Sequence, residues 1–330
     1  MIVSTINMIK SEEPANFTAS LNGFSARYLP TTNDHRFSKF EATLNGGRLV
    51  LVTRPPMIFE GAMSADEEGV AAFHFEDNRV HKINGTSADC DVWAVWKKGI
   101  DYRGIQPSRL THCWLFVPDA FSGHEWPEPS PANNLVRLRS DDSSSIRSAV
   151  SDIVAIAQND PSRLAHPNVL KGLSESIIGG LDHALMTAVP PTDRLAVGRY
   201  VAICRRAEEY LRESRLSIHS NMEIAEACGV SIRTLNNAFV SVLGVSLKKY
   251  CLLHRLWSVR NALLRAAPHD LVKTIALNHG FWHLGRFSRL YYMRFGELPS
   301  ASLARRQSKC YVIGADCRCT WRTDLLVHFP

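Results

Sequence analysis

Glu223-Ile224-Ala225-Glu226-Ala227-Cys228-Gly229-Val230-Ser231-Ile232-Arg233-Thr234-Leu235-Asn236-Asn237-Ala238-Phe239 returns, about fifty residues later, as Thr274-Ile275-Ala276-Leu277-Asn278-His279-Gly280-Phe281-Trp282-His283-Leu284-Gly285-Arg286-Phe287-Ser288-Arg289-Leu290-Tyr291. Ala225 aligns with Ala276 and Gly229 with Gly280. One extra residue in the second turn then brings Leu235 to Phe287, Phe239 to Tyr291 and Gly244 to Gly296. The Ile-Ala pair suits a short helix on which a second helix packs closely. Glycine four residues after the alanine takes the left-handed conformation that ends that helix. Ser231, and His283 in the second copy, are expected to start the next helix. Leu235 with Phe239, and Phe287 with Tyr291, stand four apart and anchor one face. A short helix-Gly-helix pattern by itself occurs in ordinary helical cores. Two copies in register predict a pair of helix-turn-helix units.

Charge points the same way. The whole chain of 330 residues has 38 Lys and Arg against 32 Asp and Glu, a net +6 that says little. Its distribution says more. Residues 201–310 hold 17 basic and 7 acidic residues, net +10, whereas residues 1–200 hold 19 and 23, net −4. A basic segment joined to a slightly acidic one points to a polyanion-binding module attached to something else. The polar faces of the second helices then supply candidate base readers: Arg233, Asn236 and Asn237 in the first copy, and Arg286, Ser288 and Arg289 in the second. Arg suits guanine, Asn suits adenine and small hydroxyls are permissive. Thr234, Lys248, Lys249 and Lys273 are candidate phosphate contacts, which position without specifying sequence. Between the copies, Leu247 to about Ala266 reads as one helix, with Tyr250, Leu253, Leu256 and Leu263 in apolar register. Its ~30 Å length is close to the ~34 Å between equivalent points on one face of B-DNA.

With these residues in view, the segment from about Cys204 to Arg306 resembles the DNA-binding domain of the AraC family of transcription regulators. The resemblance is carried by Ile224-Ala225, Gly229-Val230-Ser231, Arg233-Thr234-Leu235 with Phe239, and Gly244-Val245-Ser246 followed by Tyr250. It continues through Arg255-Leu256, Ile275-Ala276, Gly280 to Phe287, and Phe295-Gly296-Glu297-Leu298-Pro299-Ser300. The Gly280–Gly285 wording is further similar to a subgroup that includes ethanolamine-operon regulators. Three departures stand out. Leu247 replaces a common proline, Asn236 and Asn237 replace residues that are often Gln or Arg, and the tail after Arg306 has no counterpart. The resemblance implies sequence-specific binding to double-stranded DNA, RNA polymerase as a partner, and an N-terminal β-rich module that binds a small effector or mediates dimerisation.

The first half fits a β-rich module. From Leu21 to Val136, short β-branched and aromatic runs (Arg48–Thr53, Ala72–Glu76, Asp91–Trp96, Thr111–Val117) alternate with turn formers such as Asn45-Gly46-Gly47, Asn84-Gly85 and Pro118-Asp119. This predicts a sandwich or barrel. Phe73, Phe75, Trp93, Trp96 and Trp114 are the candidate lining of an effector pocket. Ser140–Ser145 offers N-cap residues ahead of a helix through Ile146, Val150 and Ile153. A second helix follows Pro167, with Leu170, Leu173, Ile177, Leu181 and Ala184 forming an apolar stripe. That stripe needs a cover, either the same domain or the equivalent helix 168–186 of a homodimer.

The expected fold is therefore a multidomain α+β chain. Its parts are an extension (1–20), a barrel- or sandwich-like β-rich effector or dimerisation domain with helices (21–186), a linker (187–198), an all-α domain with two helix-turn-helix motifs (199–306) and a tail (307–330). No apolar run approaches the ~18–20 residues of a membrane span, and the first ten residues lack an export signal. With eight mostly isolated cysteines, this suggests a reduced, cytoplasmic, nucleoid-associated protein. Enzymatic signatures are missing: the sequence has no phosphate-cradling glycine loop, His-Glu-x-x-His or Gly-x-Ser-x-Gly. Asp89 and Asp91 near Cys90, or His124-Glu125, have no evident catalytic partner. Cys310, Cys317, Cys319 and His328 fit no standard zinc spacing, so a disordered tail is expected, with no metal and no cofactor. A catalytic N-terminal module fused to a DNA-binding domain is the alternative reading.

Overall fold

The computed structural model describes residues 6–309, apart from 20, 22–23, 64–67, 77–78, 125, 131–133, 192–196, 214–219 and 268. Cys310, Cys317, Cys319, His328 and Glu125 of the sequence reading lie outside the described residues. The chain divides into two compact units, Met1–Arg255 and Leu256–Pro330.

The first unit is built on two antiparallel sheets. The strands are β1 (Ile6–Ser11), β2 (Phe24–Pro30), β3 (Phe37–Leu44), β4 (Gly47–Arg54), β5 (Met57–Met63), β6 (Glu68–His74), β7 (His81–Ile83), β8 (Thr86–Ala88), β9 (Val92–Trp96), β10 (Asp101–Gln106), β11 (Leu110–Pro118) and β12 (Leu135–Arg137). A larger sheet runs β1-β3-β4-β11-β6-β9-β12 and a smaller one β2-β5-β10-β7-β8. Asn84 and Gly85 both adopt positive φ in the tight β7–β8 turn, as an Asn-Gly hairpin requires.

Because successive strand residues point to opposite faces, the larger sheet feeds two cores. Val50, Val52, Val70, Ala72, Ala94, Trp96, Trp114 and Phe116 face the smaller sheet, where they meet Phe24, Tyr28, Phe59, Met63 and Tyr102. Leu49, Leu51, Ala71, Phe73, Trp93, Cys113 and Leu115 face the other way. There the helices α2 (Ser140–Asn159) and α3 (Pro167–Met186) cover them with Ile146, Val150, Ile153, Ile177 and Leu181.

Several expectations change at this level. Residues 6–19 are not an appendage: β1 pairs with β3, and Phe17 of α1 (Pro14–Ala19) is fully buried between the sheets. α2 starts at Ser140, so the serines lie inside its first turns instead of capping it. Buried Ser143 accepts from Trp93 Nε1 at 3.1 Å and donates to the Cys90 carbonyl at 3.1 Å. The stripe of α3 is taken up by this chain's own sheet, and its outward residues include Lys171, Glu175, Ser176, His183 and Met186. In the linker, Val189 and Arg137 exchange backbone hydrogen bonds, and α4 (Val197–Glu213) begins at its end.

α4, α5 (Asn221–Ala227) and α6 (Ile232–Leu243) complete the first unit. α7 (Leu247–Arg265) contains the division between the units, and α8 (Val272–Asn278), α9 (Leu284–Phe295) and α10 (Pro299–Lys309) follow. Among the described residues the five cysteines are free thiols, and no helix is long and apolar enough to cross a membrane.

Candidate nucleic-acid interface

The repeat is reproduced in backbone hydrogen bonds. Val230 N donates to Ala225 O at 3.0 Å and Phe281 N to Ala276 O at 3.0 Å. Gly229 N and Gly280 N donate to Glu226 O and Leu277 O, both at 2.9 Å. Leu235 N and Phe287 N reach Ser231 O and His283 O, again at 2.9 Å. Gly229 and Gly280 turn at φ 64° and 80°, a region where a Cβ is strained. Two turns of one design therefore place α6 and α9 as the second helices of two helix-turn-helix units.

In the first unit, α5 opens with a reciprocal cap: Glu223 N donates to Ser220 Oγ and Ser220 N to the Glu223 carboxylate. Ser231 caps α6, accepting from Thr234 N at 3.1 Å while the two hydroxyls lie 2.9 Å apart. Leu235, Ala238, Phe239, Val242 and Leu243 form the buried face, with Phe239 against Tyr250 at 5.1 Å between ring centres. On the other side Arg233 and Asn237 are exposed, whereas Asn236 is half-buried. Its Oδ1 accepts from Leu247 N, the first residue of α7, at 3.4 Å. This joins two of the departures. Proline at that position has no N–H to satisfy, and leucine does. Ser246 also accepts from Lys249 N at 3.3 Å, so the start of α7 is secured without proline.

The second unit uses different chemistry. His283 occupies the cap position of α9 but makes no side-chain capping bond. Phe281, Phe287, Tyr291 and Phe295 meet in sequence at 4.9, 5.6 and 4.4 Å between ring centres, tilted or edge-on, and Trp257 of α7 closes the row edge-on to Phe295 at 4.9 Å. Buried Arg260 donates to Glu297 at 2.7 Å, and the Ser302 hydroxyl bridges Glu297 and the Tyr291 hydroxyl. Burial works to raise the Glu297 carboxyl, but Ser302 and Arg260 outweigh it and hold the group low. Arg286 and Arg289 are exposed on α9 and Ser288 is half-buried; Lys248, Lys249 and Lys273 are also exposed, and Thr234 is half-buried. Trp282, which the sequence reading left unassigned, is 67% exposed four residues before Arg286. It lies in the turn just ahead of α9, and the available signal was its place in the one-residue-longer turn before that helix.

The first unit is also fastened to the outer face of the smaller sheet. Arg103 of β10 donates to Glu208 of α4 at 3.1 Å and to Asp101 at 2.8 Å, and Lys82 of β7 donates to Ser241 O at 3.2 Å. Burial, and then Glu60, push the Glu208 carboxyl upward against the pull of Arg103. Gly244, at φ 65°, lies so close to β10 that a Cβ there would meet Ile105 Cγ2 at 3.3 Å.

The five aromatic residues expected to line one pocket are divided. Phe73, Phe75 and Trp93 belong to the core under α2 and α3, and Trp96 and Trp114 to the core between the sheets. Strand alternation separates them.

A sequence profile described as a helix-turn-helix domain matches residues 224–305. The probable thc operon regulatory protein of Rhodococcus erythropolis is 31% identical over 151 residues, 44% of this chain and 44% of that protein. XylDLEGF operon transcriptional activator 2 of Pseudomonas putida is 32% identical over 106 residues, 32% of this chain and 68% of that protein. Among solved structures, the AraC-like transcriptional activator CuxR is similar at 15% identity and a TM-score of 0.40, over 71% of this chain and 88% of that one. This chain spans less than half the length of the thc operon regulator that it matches. These relatives are regulators of transcription, not enzymes. A duplicated helix-turn-helix, with the matching profile and relatives, makes this chain a member of the AraC family of transcription regulators.

Proposed function

We propose that the protein is a sequence-specific activator of transcription whose two second helices, α6 and α9, enter successive major grooves of double-stranded DNA. The observation that carries this reading is the pair of matched turns, each presenting a polar, exposed helix face from a basic segment. Arg233, Asn237, Arg286, Ser288 and Arg289 are the base readers in this reading. Asn236 contributes through its NH2 group, its carbonyl being engaged by Leu247. Thr234, Lys248, Lys249 and Lys273 hold phosphates. Trp282 adds an apolar contact suited to a thymine methyl group. The activator role follows the operon activators among the relatives; RNA polymerase as partner and action in the cytoplasm are proposed from that role alone. The ethanolamine-like wording of 280–285 assigns no effector.

The second part of the proposal is control by a small molecule held in the β-rich body, acting through the Arg103–Glu208 and Lys82–Ser241 contacts on the first unit. A ligand shifts such a system only by binding one state better than the other. Genomic mapping of bound sites, followed by mobility shifts on the recovered motif, tests the DNA reading. Specific binding that weakens steeply with added salt through counterion release supports it. Equal affinity for the motif and random DNA sinks it.

A further inference from the structure

The outward faces of α6 and α9 carry apolar side chains that the protein does not cover. Val240 is 46% exposed, Tyr292 56% and Met293 66%, and Ile232 at the start of α6 is 45% exposed. Single exposed apolar side chains are common on protein surfaces, but here the distribution is uneven. α6 and α9 have 12 residues each and hold these four. The 20 residues of α2, the 20 of α3 and the 19 of α7 expose one large apolar side chain between them, Met186 at the end of α3.

Two of the four occupy the same place in the repeat. Val240 stands five residues after Leu235, and Tyr292 five after Phe287. The carbonyl of each accepts from the glycine that ends its helix, Gly244 N at 3.1 Å and Gly296 N at 2.8 Å. With the base-reading candidates they complete one stripe on each helix. Arg233, Asn236, Asn237 and Val240 are spaced i, i+3, i+4 and i+7, and so are Gly285, Ser288, Arg289 and Tyr292. A homeodomain helix reads the major groove with that same spacing, over two turns. The packed faces are built from other residues: Leu235, Ala238, Phe239, Val242 and Leu243 on α6, and Phe287, Tyr291 and Phe295 on α9. Neither Val240 nor Tyr292 is therefore needed for its unit's core. At the near end of the α9 stripe, Gly285 adds no side chain, and a Cβ there would meet nothing within 4 Å. Glycine weakens a helix, and its use here leaves the α9 backbone free to approach an outside surface closely.

A stripe that runs from hydrogen-bonding to apolar side chains defines its complement. Arginine and asparagine match the polar edges of guanine and adenine, and the one methyl group that the four bases present in the major groove belongs to thymine. The net +10 of residues 201–310 fits the same polyanion. We propose that Val240 on α6 and Tyr292 on α9 read thymine methyl groups, one helical turn beyond the bases read by Asn237 and Arg289. Each half-site then holds a thymine recognised by its C5-methyl group and not by its hydrogen-bonding edge. This rests on the base-reading proposal above and adds to it a chemical group and a position. It is separate from the contact of Trp282, which stands before α9, at the opposite end of that helix.

The test uses the full-length protein and the DNA motif recovered by genomic mapping, synthesised with each thymine in turn replaced by uracil. Uracil keeps every hydrogen-bonding group of thymine and lacks only the methyl. Wild type is expected to lose affinity about three- to fivefold at one or more thymines in each half-site, the worth of one buried methyl group. That sensitivity should vanish in one half-site only with Val240→Ala, and in the other only with Tyr292→Ala. Tyr292→Phe should keep it, because the ring does the reading. All three variants should melt as wild type does, both side chains being exposed. A protein that prefers the motif to random DNA yet tolerates uracil at every position overturns this proposal and leaves base reading intact. Losses that persist in Val240→Ala and Tyr292→Ala, that vanish in Trp282→Ala instead, or that Tyr292→Phe abolishes as fully as Tyr292→Ala overturn it also. Equal affinity for the motif and random DNA removes the base reading and the methyl reading together.

Discussion

The two helix-turn-helix units share a backbone and differ in what secures it. In the first, local polar capping does the work: Ser220 with Glu223, Ser231 with Thr234, and Asn236 on Leu247. In the second, a row of tilted and edge-on ring contacts and the Arg260–Glu297–Ser302 network replace the caps. The outward faces differ too, with one arginine and two asparagines on α6 against two arginines and a nearby tryptophan on α9. A first unit that leans on local bonds and is fastened to the β-rich body is suited to adjustment. A second unit with a rigid aromatic core and more cationic surface is suited to a constant grip on DNA.

The largest test of this contrast is Arg260→Ala. It removes a buried partner of Glu297 and is expected to cost about 3 kcal/mol in urea denaturation. An effect below ~1 kcal/mol would leave the second unit without its distinguishing support. Next, Arg289→Ala should weaken operator binding by about 1–3 kcal/mol and relax specificity at one position. Asn237→Ala should do less. An equal loss on specific and random DNA would make Arg289 a phosphate ligand.

A third test uses pH on the first unit. Burial, reinforced by the charge of Arg27, holds the His254 imidazole down at about 4, and its Nε2 lies 3.5 Å from Arg27 Nη1. Its folded value is below its unfolded value of ~6.5, so in that window the unfolded chain binds the extra proton. Stability is then lost as pH falls from about 6.5 to 4. The wild type should lose about 1.4 kcal/mol per pH unit relative to His254→Gln. Parallel pH profiles would refute the assignment.

A smaller effect probes the joined departures. Asn236→Ala should cost about 1 kcal/mol, for the loss of one hydrogen bond. The same substitution in a Leu247→Pro background should be nearly neutral, because no N–H is left to satisfy. Equal costs in both backgrounds would unlink the two residues. Of similar size is the cap comparison: Ser231→Ala should lose about 1 kcal/mol while His283→Ala is nearly silent.

Much of this was legible in the sequence, for a physical reason. The turns at Gly229 and Gly280, the helix ends at Gly244 and Gly296 and the Ser231 cap are decided within a few residues of themselves. So are strands such as Gly47–Arg54, a short apolar run bounded by turn formers, and the apolar stripes of α2 and α3. The partnerships that lie outside local reach were not legible. Arg260 and Glu297 are 37 residues apart and Arg103 and Glu208 are 105, too far for any local pattern to pair them. β1 and α1 were missed because short segments gain their structure from β3 and the inter-sheet core. Candidate pocket residues were chosen by aromatic character alone. Facing direction decides which side of a sheet they occupy, and it divided them.

The alternation along β10 has a practical meaning for anyone rebuilding this protein. Tyr102, Gly104 and Gln106 point between the sheets, whereas Arg103 and Ile105 point toward α4 and α6. Core packing and helix docking are thus encoded at alternate letters of a six-residue word. Inward positions can therefore be repacked while the outward contacts to α4 and α6 are copied unchanged.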